Sequence, residues 1–357
     1  MVAEAVRHDI GPYLLWVVDQ SGTSLPAEMD EQLRQLYRLA VTRSMVLHRA
    51  QQDIARALDT AGIAHIWLKG IVLAATVYPD PALRPMVDLD VLVRPEQVTA
   101  ALECLCAIGF LGAEHPSSLY QAALDLPNKS HHHVLMGGAG KGVILELHFS
   151  LLNPQDRAFH SSEQEKWFLQ QTTSYSSGLD EFTSLADEAQ FLHLCEHMVL
   201  HHGLQDFALT RPLDLHLMIA KSPLNWETII TKAVELRWTY VVERALQVAH
   251  ELFQTPLPEF VLDELRQNRP SDRDVQRVEA LARPGALTES MRWTLGSLGW
   301  RDRMRWVWRV VAPPPRYMRS RYEVPNGRMI RPYYPRRWCH QLGQVIVWLG
   351  AKRNASP

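Results

Sequence analysis

The amino-acid sequence predicts an α+β fold, a small mixed sheet flanked by helices and followed by a helical lobe. Three observations carry this expectation. A long helical stretch comes first, strand-like and helical runs then interleave, and from about Ser184 to Leu265 only helical periodicity remains. At 357 residues the chain is long enough for two lobes. The expected division is a helical segment over 1–60, a mixed domain over 61–180, a helical domain over 181–300 and a basic, aromatic tail over 301–357.

From Pro26 to Ala61, the residues Leu33, Leu36, Leu39, Met45, Leu47, Ile54 and Leu58 recur mostly at helical spacing, and Gly62 ends the helix. AHIWLKG reads as a short strand; Gly70 opens a second helix, which Pro79 closes. PDPALRPM is a proline-rich loop. VDLDVLV alternates carboxylate and aliphatic residues with period two, the pattern of a strand with two different faces. Pro95 takes the favoured first position of the next helix, and Gly109 ends it. HHHVLMG and GVILELHFSL read as two strands of a hairpin joined by GGAGKG. Helical runs then begin near Asp187, Arg211, Asn225 and Val241.

Hydrophobic residues at 46% and charged residues at 21% describe an ordinary globular protein. The net charge of −2 is unevenly spread: residues 301–357 hold thirteen Lys or Arg against Asp302 and Glu323, about +11, so residues 1–300 carry about −13. An acidic body is a poor general partner for nucleic acid. The four cysteines show no CxxC spacing, which suits a reducing cytoplasm. No run reaches roughly 18 apolar residues, so no spanning helix is expected and the expected location is cytoplasmic.

The chemistry centres on Asp88 and Asp90. Two apart on a strand, they leave the same face of the sheet, while Leu89, Val91 and Val93 leave the other and pack. Adjacent carboxylates repel unless a cation neutralises them, and Mg²⁺ takes hard oxygen ligands of this kind. Glu146 lies on a later strand between Leu145 and Leu147; if the two strands are neighbours, it completes a two-metal site for in-line displacement. A DxD alone is weak evidence, since a solvated strand face reads the same way. The turn at Lys69-Gly70 adds context, offering backbone N–H groups at a helix start and an ammonium to a phosphate.

The run WLKGIVLAATVYPDPALRPMVDLDVLV resembles a family of uncharacterised nucleotidyltransferases within the DNA-polymerase-β-like superfamily. That family shows a KG turn, a tyrosine-proline loop, an arginine and a DxDxLV strand in this order. VILELHFSL resembles its carboxylate-x-His strand, and the resemblance extends over roughly residues 35–300. It implies a nucleotidyltransferase lobe using Mg²⁺ or Mn²⁺ and an NTP, ATP being the expected one. It also implies Glu146 as third carboxylate with His148 beside it. Most polymerase-β-like enzymes carry Gly-Ser or Gly-Gly at the phosphate turn, where this chain has Lys69 before a lone Gly70.

Arg84 precedes the DxD strand and is expected to bind the triphosphate or leaving pyrophosphate; its blander reading is a solvated loop arginine. His193, His197 and His201 share one helix face at every fourth position, so they either line the cleft as neutral imidazoles or are satisfied structural histidines. Zinc is disfavoured because His-Glu-x-x-His is absent. His131 and His133 fall on one face, near Glu146 or His148, as a metal tract or a polar strand start. Arg211 and Asp214 open a helix of the second lobe, as site residues or as a surface arginine and a capping carboxylate. The tail's arginines and aromatics suit stacking on bases or lipid contact, with a basic arm wrapping the acidic body as the favoured reading.

The expected reaction moves a nucleoside monophosphate from an NTP to a hydroxyl or other nucleophile on a small-molecule or peptide acceptor. Asp88, Asp90 and Glu146 are its catalytic and metal-ligating residues. Lys69, Gly70, Arg84 and His148 bind the nucleotide. His133, His197, His201, Arg211 and Asp214 are secondary candidates. The competing readings are an RNA- or tRNA-directed toxin, a phosphotransferase using the same site and a non-catalytic nucleotide-binding module.

Overall fold

The computed structural model describes residues 1–111, 133–138, 142–152, 162–177, 180–204 and 208–282, with scattered positions from Trp300 onward. His131, His132 and most of the basic tail lie outside these residues; among the tail positions described, Met318 and Val324 are buried.

Helices α1 (Val2–Arg7) and α2 (Gly11–Ser21) lead into α3 (Ala27–Thr60). At about 1.5 Å per residue α3 is roughly 50 Å long, and Leu33, Leu47, Ile54 and Leu58 are its fully buried leucines and isoleucine. Leu39 and Met45 of the expected stripe are exposed. At about 100° per residue they point about 120° to either side of Leu33.

Strand β1 (His65–Leu68) follows, then α4 (Gly70–Thr76), β2 (Asp88–Val93), α5 (Val98–Ala107) and β3 (Phe110–Leu111). The expected hairpin is present as β4 (His133–Gly138) and β5 (Ile144–His148), paired antiparallel. Beyond it lie elements the sequence pattern does not announce: α6 (Ser162–Gln170), β6 (Thr172–Ser177) and β7 (Asp180–Leu185). The polar TTSYSS of β6 has no apolar alternation to betray it, because β6 is the outer strand of its hairpin with β7. Among the described residues the seven strands form one mixed sheet in the order β3-β4-β5-β2-β1-β7-β6. β2 pairs with β5 and β1 with β7 in parallel; the other neighbours are antiparallel. The sheet therefore runs past residue 180, as far as Leu185.

Among the described residues from Asp187 to Ala282 the elements are helical: α7 (Asp187–Glu196), a π-helical turn (His197–His201), α8 (Thr210–Lys221), α9 (Trp226–Leu236), α10 (Thr239–Phe253), α11 (Glu259–Gln267) and α12 (Asp272–Leu281). No helix among the described residues is long and apolar enough to cross a membrane.

Each face of the sheet has its own core. Trp67, Leu89, Val91, Leu145 and Leu147 pack with α3 and α5 on one side. Leu68 and Leu92 join Tyr78, Leu185 and the helical lobe on the other. Each leucine or valine so buried contributes about 1.5–3 kcal/mol of burial free energy. On β2 this second face begins with Asp88 and Asp90 and turns apolar only at Leu92. The lobes pack at the apolar end, and the carboxylate end opens into a cleft.

Candidate active site

The parallel pairing of β2 with β5 sets Asp90 directly opposite Glu146, and Leu92 opposite His148. Strand alternation then puts Asp88, Asp90, Glu146 and His148 on one face. Arg43 of α3 reinforces this alignment from outside, its guanidinium donating to the carbonyls of Met86 and Val87 at the start of β2 and of Gly142 before β5.

Lys69 sits among the carboxylates, its Nζ 2.6 Å from Asp90 Oδ1 and 3.7 Å from Glu146 Oε2. It also adopts φ 53°, ψ −122°, a backbone region that favours glycine and costs a side-chain-bearing residue on the order of 1–3 kcal/mol. Lys69 thus takes a conformation that glycine adopts more readily, and the two acid contacts help hold it there. Gly70 is needed for another reason: a Cβ there would stand 2.5 Å from Arg84 Nη1 and 2.9 Å from Met86 Sδ.

Burial by itself would raise the Asp90 carboxyl, but the Lys69 ammonium and the His148 hydrogen bond outweigh it and hold the group far below the usual range. His148 Nε2 donates to Asp90 Oδ1 at 2.8 Å and lies 3.4 Å from Glu146 Oε2. Glu146 is likewise lowered, with burial opposing and the His148 hydrogen bond and Lys69 prevailing; His133 Nε2 lies 3.7 Å from its Oε1. Lys69 responds in kind: burial would depress it, yet Asp90 and Glu146 shift it upward.

Asp88 behaves oppositely. Burial first, and then repulsion from Asp90 and Glu146, raise its pKa. Its side chain makes no hydrogen bond or ion pair among the described residues, and Asp90 Oδ2 makes no hydrogen bond there either. Three carboxylates face one ammonium, a surplus of two negative charges when all are ionised. Hard oxygen donors with that surplus fit one divalent cation.

A cleft of about 300 Å³ covers this group, walled on the sheet side by the acids and Lys69 and on the helical side by α8 and the π-helical turn. Arg84 spans it differently from expectation. Its Nε and Nη2 donate to Asp214 Oδ1 and Oδ2 at 3.0 and 2.7 Å, and Tyr78 Oη donates to Oδ1 at 2.8 Å. Asp214 is therefore neither a cap nor a surface residue; at 2% exposure it is the buried anchor of Arg84 across the lobes. Burial opposes the Arg84 charge, but Asp214 raises its pKa further. With Nε and Nη2 engaged, Nη1 is the guanidinium nitrogen over Gly70.

Arg211 is half-buried on the same wall. His197 and His201 line the cleft, whereas His193 is buried behind them, 3% exposed. Desolvation by the surrounding protein, which for His201 is the cleft wall, and then the Lys69 charge lower all three, His193 to about 3 and His201 to about 4. His133 falls to about 4 through burial and His148. Two titratable lining residues escaped the sequence pattern. His202 is offset from the four-residue histidine period, and Asp9 belongs to the turn between α1 and α2, far from any motif.

A family model described as an uncharacterised nucleotidyltransferase matches residues 1–254. The chain belongs to that family. No curated protein and no solved structure matches it. The family match takes in every residue of the cleft and closes just after α10, so the sheet, the π-helical turn and the Arg84–Asp214 pair all fall within it. Membership supports nucleotidyl transfer as the general activity.

Proposed function

We propose that the chain transfers a nucleoside monophosphate from an NTP, with ATP as first choice, to a hydroxyl or similar nucleophile on a small-molecule or peptide acceptor, using a polymerase-β-like core. The observation that carries this reading is the register of β2 on β5, which brings Asp90 beside Glu146 with Asp88 next to them at the cleft. Asp88, Asp90 and Glu146 would hold Mg²⁺ or Mn²⁺. Such an ion would lower the pKa of the acceptor hydroxyl and neutralise charge on the phosphates.

In this mechanism the acceptor oxygen attacks the α-phosphorus, the bond to the β-phosphate oxygen breaks, and pyrophosphate leaves with the electron pair. Glu146, held ionised, takes the acceptor proton. Lys69 and His148 fix the Asp90 carboxylate so that it needs no reorganisation as charge develops. Arg84, aligned by Asp214, offers Nη1 to the phosphates, and Arg211 adds a second positive charge on that wall. The net acidity of residues 1–300 favours a small or peptide acceptor over RNA.

The test uses NTPs labelled at the α- or the γ-phosphate, Mg²⁺ and a cell extract as acceptor source. Label from the α-position is expected on product, and it should vanish in Asp88→Asn and Asp90→Asn. Transfer of γ-label alone would assign phosphoryl transfer, and α-transfer that survives both variants would remove the mechanism.

A further inference from the structure

The helix after β7 does not stay α-helical where it meets the cleft. At His197–His201 it widens into a π-turn, with the His202 N–H donating to the His197 carbonyl at 3.2 Å. In an α-helix His202 would sit about 140° around from His197. The i→i+5 turn brings it back to the face that His197 and His201 occupy, and single π-turns of this kind concentrate at functional sites. The three rings gather with centroids 5.0 Å (His197–His201), 4.5 Å (His197–His202) and 4.9 Å (His201–His202) apart. One ring nitrogen from each lies within 4.8 Å of the others.

We infer that His197, His201 and His202 form a second metal site, for a borderline transition-metal ion such as Zn²⁺, on the wall facing the carboxylates. Two nitrogens on one zinc stand at most about 4.2 Å apart, so small side-chain rotations close the site. An all-imidazole set selects Zn²⁺, Co²⁺ or Ni²⁺ over Mg²⁺, the reverse of the preference of Asp88, Asp90 and Glu146. A three-histidine set also keeps a fourth position open, as sites that bind water or substrate do. Here that position faces the cleft, where a phosphate or acceptor oxygen would enter.

A second observation points to the same place. His193, one turn back, is buried, its Nδ1 3.9 Å from Glu196 Oε2 and its Nε2 without a hydrogen bond among the described residues, and its ring lies 6.0 Å from that of His197. The buried Nε2, beside the three-histidine cluster and without a hydrogen bond, suits water bound to an ion there. The expectation against zinc rested on the missing His-Glu-x-x-His pattern; the π-turn supplies a different spacing.

The site is tested by titrating the chelator-treated full-length protein with Zn²⁺ by calorimetry, and with Co²⁺ by visible absorption, in excess Mg²⁺. Wild type and Asp88→Asn are expected to bind an equivalent that His201→Ala and His202→Ala lose. Altering an outer partner of a metal ligand already costs about 10–100-fold in affinity, so losing a ligand should weaken binding by more than about 100-fold. Both histidines are exposed to the cleft, so the variants should keep the wild-type circular dichroism and melting temperature. The inference is overturned if no zinc binds, or if His202→Ala binds as wild type does. It is also overturned if the only equivalent disappears in His133→Ala or Glu146→Gln, which would give the ion to the neighbouring His133, Glu146 and His148 group. None of these readouts requires transfer activity, so the zinc site and the nucleotidyl reaction stand or fall separately.

Discussion

Replacing Asp214 with alanine removes the partner of a buried cation and of a buried hydroxyl in one step. Arg84 loses bonds of 2.7 and 3.0 Å, and Tyr78 loses one of 2.8 Å. The Arg84 and Asp214 side chains are 14% and 3% exposed, so water screens the loss only weakly. Stripping one member from a buried ion pair costs about 3–5 kcal/mol, and an orphaned buried hydroxyl about 1–3. The two share one acceptor and do not add fully, which leaves an expected destabilisation of about 4 kcal/mol. At roughly 2–4 °C per kcal/mol for domains of this class, the melting temperature should fall by about 8–16 °C. Urea unfolding followed by circular dichroism measures the difference directly. The double variant Arg84→Met with Asp214→Leu should recover all but about 1–3 kcal/mol, the cost of the orphaned Tyr78 hydroxyl, because apolar packing can replace a buried pair, while transfer stays lost. A loss below about 1 kcal/mol in Asp214→Ala, or a double variant no more stable than the single, would refute the account of this pair as the buried tie between lobes.

Asp88→Asn relieves repulsion without breaking a contact, so its unfolding midpoint should match or exceed that of wild type while transfer falls by more than about 100-fold; a clear loss of stability would contradict the reading of Asp88 as the open carboxylate. His193 titrates near 3 when folded and near 6.5 when unfolded, so between those values the unfolded chain binds more protons and stability rises with pH. In chelator-treated protein it should account for about 2 kcal/mol lost on going from pH 7 to pH 5, and His193→Leu should flatten that part of the urea midpoint profile. Gly203 has φ +76°, and a Cβ there would meet the Ala282 carbonyl at 2.7 Å. Gly203→Ala should therefore destabilise by at least about 1–2 kcal/mol in thermal unfolding, through strain at the end of the π-turn.

The site was partly legible because some of its constraints are local. Asp88 and Asp90 point the same way simply because a strand repeats every two residues, and Glu146 between two leucines follows the same rule. Gly62 and Gly109 end helices at φ +66° and +90°, as their lack of a Cβ permits. Strand β6 was illegible for the converse reason: its polar run carries no periodic signal.

By itself, then, the sequence determined the sheet–helix alternation, the carboxylate face of β2 and the family. Only the tertiary structure decided who meets whom. Lys69 bridges Asp90 and Glu146 from a strained turn, Arg84 reaches Asp214 across 130 residues, and His202 joins His197 through a π-turn. The reason is physical. Local periodicity follows from backbone sterics a few residues at a time, whereas the partner of a buried charge is chosen by which opposite charge the whole packed chain brings within about 3 Å, a property that no short window of sequence contains.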